Sequence, residues 1–164
     1  MLYIMPIGDI MYAIIVFLLM MIFPILSVLI DGLFFNTTTS IFLLLGKWFV
    51  FWAVGVRLMT ASYKQIFSPQ FTAQEVFETT EKGAFAIVRE LGFSLFAIGL
   101  LGICTLFIPQ WRLPAALVGG LFFTFAGLGH LIRKNRNKKE TLSMLSDFWI
   151  SLICAMYIIY MLIL

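Results

Sequence analysis

Five stretches of this chain, at approximately residues 10–30, 44–66, 84–108, 113–132 and 147–164, are apolar enough and long enough to lie across a membrane. Crossing the hydrocarbon core takes roughly 20 helical residues. Among 164 residues, 62% are hydrophobic and 12% charged, against about a quarter charged in a soluble domain. A soluble fold of this size could not hide so much apolar surface. The expected fold is therefore all-α: a polytopic transmembrane helix bundle of about five spans, forming one domain over residues 1–164. The second stretch could begin as early as Ile41 and tilt. The last is close to the lower length limit, so four spans with a buried C-terminal segment is the alternative.

The loop "RKNRNKKE", residues 133–140, holds five of the eleven basic residues. The positive-inside rule places that loop in the cytoplasm. Counting spans from it puts the N-terminus inside and the C-terminus in the periplasm, for a multi-pass protein of the cell inner membrane. "DGLFFNTTTS", which has no Lys or Arg, then falls outside. So does the turn "PQWRLP", whose Trp111 suits an interfacial belt and whose Pro114 suits the first turn of a helix. The sequon at Asn36 is read as a chance match in a polar loop. The net charge of +3 comes largely from the one basic loop, so no nucleic-acid partner is expected. "MLYIMPIGD" lacks Lys and Arg, and no small-residue cleavage site follows the first apolar run, so no cleaved signal peptide is expected.

On the cytoplasmic side, "SPQFTAQEVFETTEKG" carries Thr72 and Glu75 at capping-box spacing, with Ala73, Val76, Phe77 and Thr80 at helical spacing. The pattern predicts a short amphipathic helix, lying on the membrane surface or packed only on protein. The two cysteines, Cys104 and Cys154, fall at depths differing by more than about 15 Å, too far for a disulfide. No metal site and no catalytic residues are expected, and the cofactor content is unknown.

The polar residues inside the spans are arranged in stripes. Around the third span, Ala86, Glu90, Ser94, Ala97 and Cys104 form one stripe, and Gly92, Gly99 and Gly102 form another. Small faces on both sides predict neighbours on both sides and a central position. On the fourth span, Ala115, Ala116, Gly119, Ala126, Gly127 and His130 share a face. Gly92, Gly99, Gly119 and Gly127 are thus the expected helix-packing positions. Asp147, Ser151 and Cys154 align on the fifth span, and Ala53, Arg57, Thr60, Ala61 and Lys64 on the second. The first span shows only Ser27 and a kink expected at Pro24, so it reads as peripheral.

Depth then matters. Arg57 is placed about 14 Å from the inner face, Glu90 about 9 Å and His130 about 5 Å, with Asp147 at the surface. These residues and Arg89 form the candidate ligand-binding or buried polar network, in which Glu90 meets Arg57 or His130. Arg89 pairs beside it or reaches toward the headgroups. Such a network either fixes helix register or marks a ligand or proton site. His130, the single histidine, lacks a second histidine for haem or metal.

The segments "FWAVGVRL", "FTAQEVF", "IVRELGFSLFAIGLLG", "WRLPAALVGGLFFTFAGLGH" and "SDFW" together resemble an uncharacterised family of small bacterial integral membrane proteins. That family is itself distantly DoxX-like, similar to compact four-helix membrane proteins linked to quinone and redox systems. The resemblance spans roughly residues 45–150 and implies a helical-bundle architecture and an association with redox systems. The functional expectation is a non-enzymatic protein that binds a small amphipathic molecule, lipid or quinone-like, or an accessory subunit of a membrane complex. Its partners would be the bilayer, that ligand, and a membrane protein or a second copy of the chain. The rivals are a proton-coupled transporter with Glu90 as carrier and, with no recognisable catalytic constellation, a membrane redox enzyme.

Overall fold

Five helices are long and apolar enough to cross a membrane: Ile10–Phe35, Ile41–Phe67, Lys82–Cys104, Pro109–Ile132 and Lys138–Ile163. They are the first to fifth spans of a multi-pass, all-α bundle, with no strand among the described residues. The computed structural model describes residues 7–35, 37–75, 79–134, 136 and 138–164. The end of the bundle at which the fourth span finishes and the fifth begins, with Arg133, Lys138 and Lys139, is called the basic end; the other is the opposite end. Ile14, Leu29, Leu121, Phe125, Leu152 and Ile159 are among the large apolar side chains left exposed around it. In lipid these need no cover, because the acyl chains are as apolar as the side chains, and each helix satisfies its own backbone polar groups.

Two spans contain wide turns. In the first, a π-helical segment, Leu18–Ile22, precedes Phe23–Ile30, which carries Pro24 in its first turn. Proline offers no N–H and its ring presses on the preceding turn, so a widened turn accommodates it. The second span is π-helical over Val50–Arg57. That segment holds Gly55, where the third span approaches backbone to backbone: a Cβ on Gly102 would lie 2.5 Å from Gly55 N.

The second span is the central one. It touches each of the other four and contributes Phe49, Val50, Ala53, Val54 and Leu58 to the core. Leu95, Ala115, Ala116, Phe123, Ile150 and Cys154 close around them from the third, fourth and fifth spans. The third span, expected at the centre, sits beside the second. Its Gly92, Gly99 and Gly102 face packs on Ile66, Met59 and Gly55, while Ala86, Ser94 and Ala97 are exposed. Only one of its two small stripes has a neighbour. The first span is not peripheral either: Val16, Met20, Val28 and Asp31 are buried along it.

Two boundaries differ from the sequence reading. The fifth span begins at Lys138 rather than 147, because its first turn is anchored by the fully buried Glu140. The third ends at Cys104, where Thr105 Oγ1 donates to Gly102 O at 2.7 Å. Between the second and third spans lies a short helix, Pro69–Glu75, packed on both. It starts at proline, so Thr72 is buried inside it rather than capping it. Val76 and Phe77, and the sequon residue Asn36, lie outside the described residues.

Candidate functional site

Polar side chains gather at three levels. At the opposite end, the first span delivers Asp31 from its last turn and the second delivers Lys47 and Trp48 from its second turn. Lys47 Nζ lies 2.6 Å from Asp31 Oδ2, and Trp48 Nε1 donates to the same oxygen at 2.8 Å. A carboxylate needs such donors when it is taken out of water; the Asp31 side chain is only 5% exposed. One turn deeper, Trp52 Nε1 donates to Ser27 Oγ at 2.9 Å. Ser27, Ile30, Asp31, Phe35, Lys47 and Trp48 line a cleft of about 430 Å³ between the two spans. Arg112 of the fourth span lies within electrostatic reach of Tyr157 of the fifth span and of Asp31. Arg112 Nε is buried without a hydrogen-bond partner.

At mid-depth, Arg57 and Asp147 stand at one level, and Arg57 Nε is buried without a hydrogen-bond partner. Arg57 is ten residues before the end of the second span and Asp147 nine residues into the fifth, so both sit about 14–15 Å from the basic end. The guanidinium is within electrostatic reach of the buried carboxyl and lies 5.9 Å from the Tyr12 ring centroid. Tyr12 in turn shares a 2.6 Å hydrogen bond with Ser143. A similar link, Thr124 Oγ1 to Ser151 Oγ at 2.6 Å, ties the fourth span to the fifth.

At the basic end, Glu140 holds the fourth and fifth spans together. Arg133 donates to its Oε1, and His130 Nδ1 lies 3.6 Å from the same atom. Arg136 donates to His130 O at 3.0 Å and Leu131 O at 2.6 Å. It thereby satisfies carbonyls that the end of the fourth span leaves without helical partners.

The expected network is thus divided. Asp147 and Arg57 share a level within electrostatic reach but form no ion pair or side-chain hydrogen bond among the described residues, and Asp147 is deep rather than at the surface because its helix starts earlier. His130 belongs to a separate cluster. Arg89 and Glu90 join neither: both are exposed, with no ion pair or side-chain hydrogen bond among the described residues. The expected Glu90–Arg57 pairing is corrected by the glycine contact. The third span turns Gly92 and Gly99 to the second, and Glu90 lies about 160–200° away around the helix. The four packing glycines are all buried at helix contacts. A Cβ on Gly92 or Gly99 would come within 2.9 Å of the second span, one on Gly119 within 2.5 Å of Val54, and one on Gly127 within 3.1 Å of Phe148.

Asp31, Lys47, Trp48, Arg112, Tyr157 and Glu140 were not among the residues singled out from sequence. A usable signal was present for the first pair. An acid closing one apolar stretch and a base opening the next are joined by a short loop, so they return to the same depth. What the cleft offers is ion pairing and hydrogen bonding beside an aromatic wall. No family model matches the chain, and neither a curated protein nor a solved structure matches it.

Proposed function

We propose that this chain is a non-enzymatic membrane protein that binds a small amphipathic molecule, lipid or quinone-like, in the cleft between its first and second spans. The observation that carries this reading is the composition of the cleft. Lys47 remains 26% exposed while paired to Asp31, and Ile30, Phe35 and Trp48 supply an apolar wall beside it. A phosphate or carbonyl head accepts a hydrogen bond from Lys47, and the tail runs along Phe35 and Ile30 into the surrounding lipid. Few convergent polar groups in an otherwise apolar cleft are the usual make-up of a small-molecule site. The DoxX-like resemblance favours the quinone-like member of that class.

The ligand head is assigned to Lys47 rather than to Arg57, Glu90 and His130, because Lys47 lines the cleft and stays 26% exposed while the other three lie away from it. With the basic loop cytoplasmic, the cleft opens at the periplasmic interface of the inner membrane. A binder is favoured over a proton-coupled permeation unit. The Asp31 and Asp147 levels are separated by the packed core of Phe49, Val50, Ala53 and Val54. The same cleft serves an accessory subunit that presents its ligand to a membrane complex.

The test is chemical identification of the small molecules that accompany the gently solubilised protein. Ile30→Trp, at an exposed position on the cleft wall, provides the comparison. One amphipathic class enriched over the bulk membrane, and depleted by Ile30→Trp, is the expected result. Enrichment that is absent, or unchanged by the filled cleft, overturns the reading.

A further inference from the structure

The third span turns one face to the second and leaves the other uncovered. Along the uncovered face stand Ala86, Glu90, Phe93, Ala97, Leu100 and Cys104, spaced alternately by four and three residues. That alternation is the a/d spacing of a seam between two helices. All are exposed except the half-buried Cys104; Phe93 is 54% and Leu100 45% exposed. The seam runs through Glu90, with Arg89 on its flank. Both are charged groups about 11–12 Å along the helix from Lys82, below the headgroup level. Neither has an ion pair or side-chain hydrogen bond among the described residues. A charge that faces hydrocarbon is costly, and such residues ordinarily pair within a protein.

We propose that this face docks a second copy of the chain. Two third spans pack in parallel about a two-fold axis along the membrane normal, and Arg89 of each copy pairs with Glu90 of the other. The occupant follows from charge and symmetry. A two-fold interface is self-complementary, so each group must find its complement on the same patch. In a parallel pair, the residue before an a position lies beside the a residue of the opposite helix. With Glu90 at a, that neighbour is Arg89 of the second copy, and both charges of each chain are matched at one depth. Lipid tails would leave all four unmatched. Ala86 and Ala97, above and below the charged layer, let the helices approach closely.

The test is disulfide trapping of the full chain in membranes, followed by charge exchange. In a Cys104→Ser background, Ala97→Cys should form a covalent dimer on mild oxidation, while Leu152→Cys, exposed on the fifth span, should stay monomeric. Added to the Ala97→Cys chain, Arg89→Glu or Glu90→Arg alone should reduce trapping at least about tenfold, because like charges then meet across the seam. The combined exchange should restore it, which separates lost pairing from lost folding. Equal trapping at positions 97 and 152 would overturn the proposal. So would single exchanges that leave trapping unchanged, or a combined exchange that fails to restore it in a protein whose thermal unfolding matches the parent.

Discussion

Lys47 and Trp48, consecutive residues of one helix, both donate to Asp31 Oδ2 of the helix before it, at 2.6 and 2.8 Å. Adjacent side chains on a helix diverge by about 100°, so a lysine and an indole converge on one oxygen only if the carboxylate lies between them. Asp31 does so because it opens the last turn of the first span, beside the second turn of the next. The pair fixes the register of the first hairpin and furnishes its cleft with a charged rim.

The Asp31–Lys47 contact should therefore appear as a coupling. Asp31→Asn and Lys47→Met, singly and together, should show an interaction of about 1–3 kcal/mol in unfolding measurements. Additive effects would mean that the two groups are solvated separately.

Arg57 should be coupled to Asp147 and not to Glu90. The cycle of Arg57→Gln with Asp147→Asn should give at least about 0.5 kcal/mol of interaction, whereas Arg57→Gln with Glu90→Gln should be additive within about 0.5 kcal/mol. A larger coupling to Glu90 would contradict the face assigned to the third span.

Much of the fold was legible because the solvent is so restrictive. Five apolar runs must be helices of about bundle length, and the small-residue face of the fourth span predicts the close contacts made by Gly119 and Gly127. The polar partners were less legible. A uniform 100° projection assumes an unbroken α-helix, but the second span is π-helical over Val50–Arg57, and a wider turn rotates every residue beyond it. The hydrophobicity boundary also misled: Glu140 and Asp147 looked like loop and surface, yet both are buried in the fifth helix. Nor can a stripe of small residues say whether its neighbour is in the same chain. Gly99 and Ala97 look alike in sequence, and only the first meets the second span.

Glycine at the third-span contact is a steric requirement. Gly102→Ala puts a methyl group 2.5 Å from Gly55 N, so it should destabilise the protein by about 1–3 kcal/mol or prevent folding. Leu152→Ala, on an exposed surface, should change stability by no more than about 0.5 kcal/mol. Thermal unfolding in detergent separates the two, and equal effects would show that the third span does not pack through this face.

The orientation proposed from the basic loop has its own check. Single cysteines in a cysteine-free background, one at Lys134 and one at Thr38, should react oppositely with an impermeant thiol reagent in intact cells. Reaction at 134 and protection at 38 would invert the molecule and move the cleft to the cytoplasmic interface.

The central claim is that the cleft beside Lys47 holds an amphipathic molecule, and photo-crosslinking in native membranes tests it most directly. A photoreactive residue replaces Phe35, which lines the cleft and is 76% exposed, or Leu145, which is 60% exposed in the basic half of the fifth span. After irradiation, mass spectrometry of the intact chain reads the captured mass. Position 35 should capture one amphipathic class well above its share of the membrane, and position 145 should capture bulk lipid in proportion. Identical adduct distributions at the two positions would contradict the binding site.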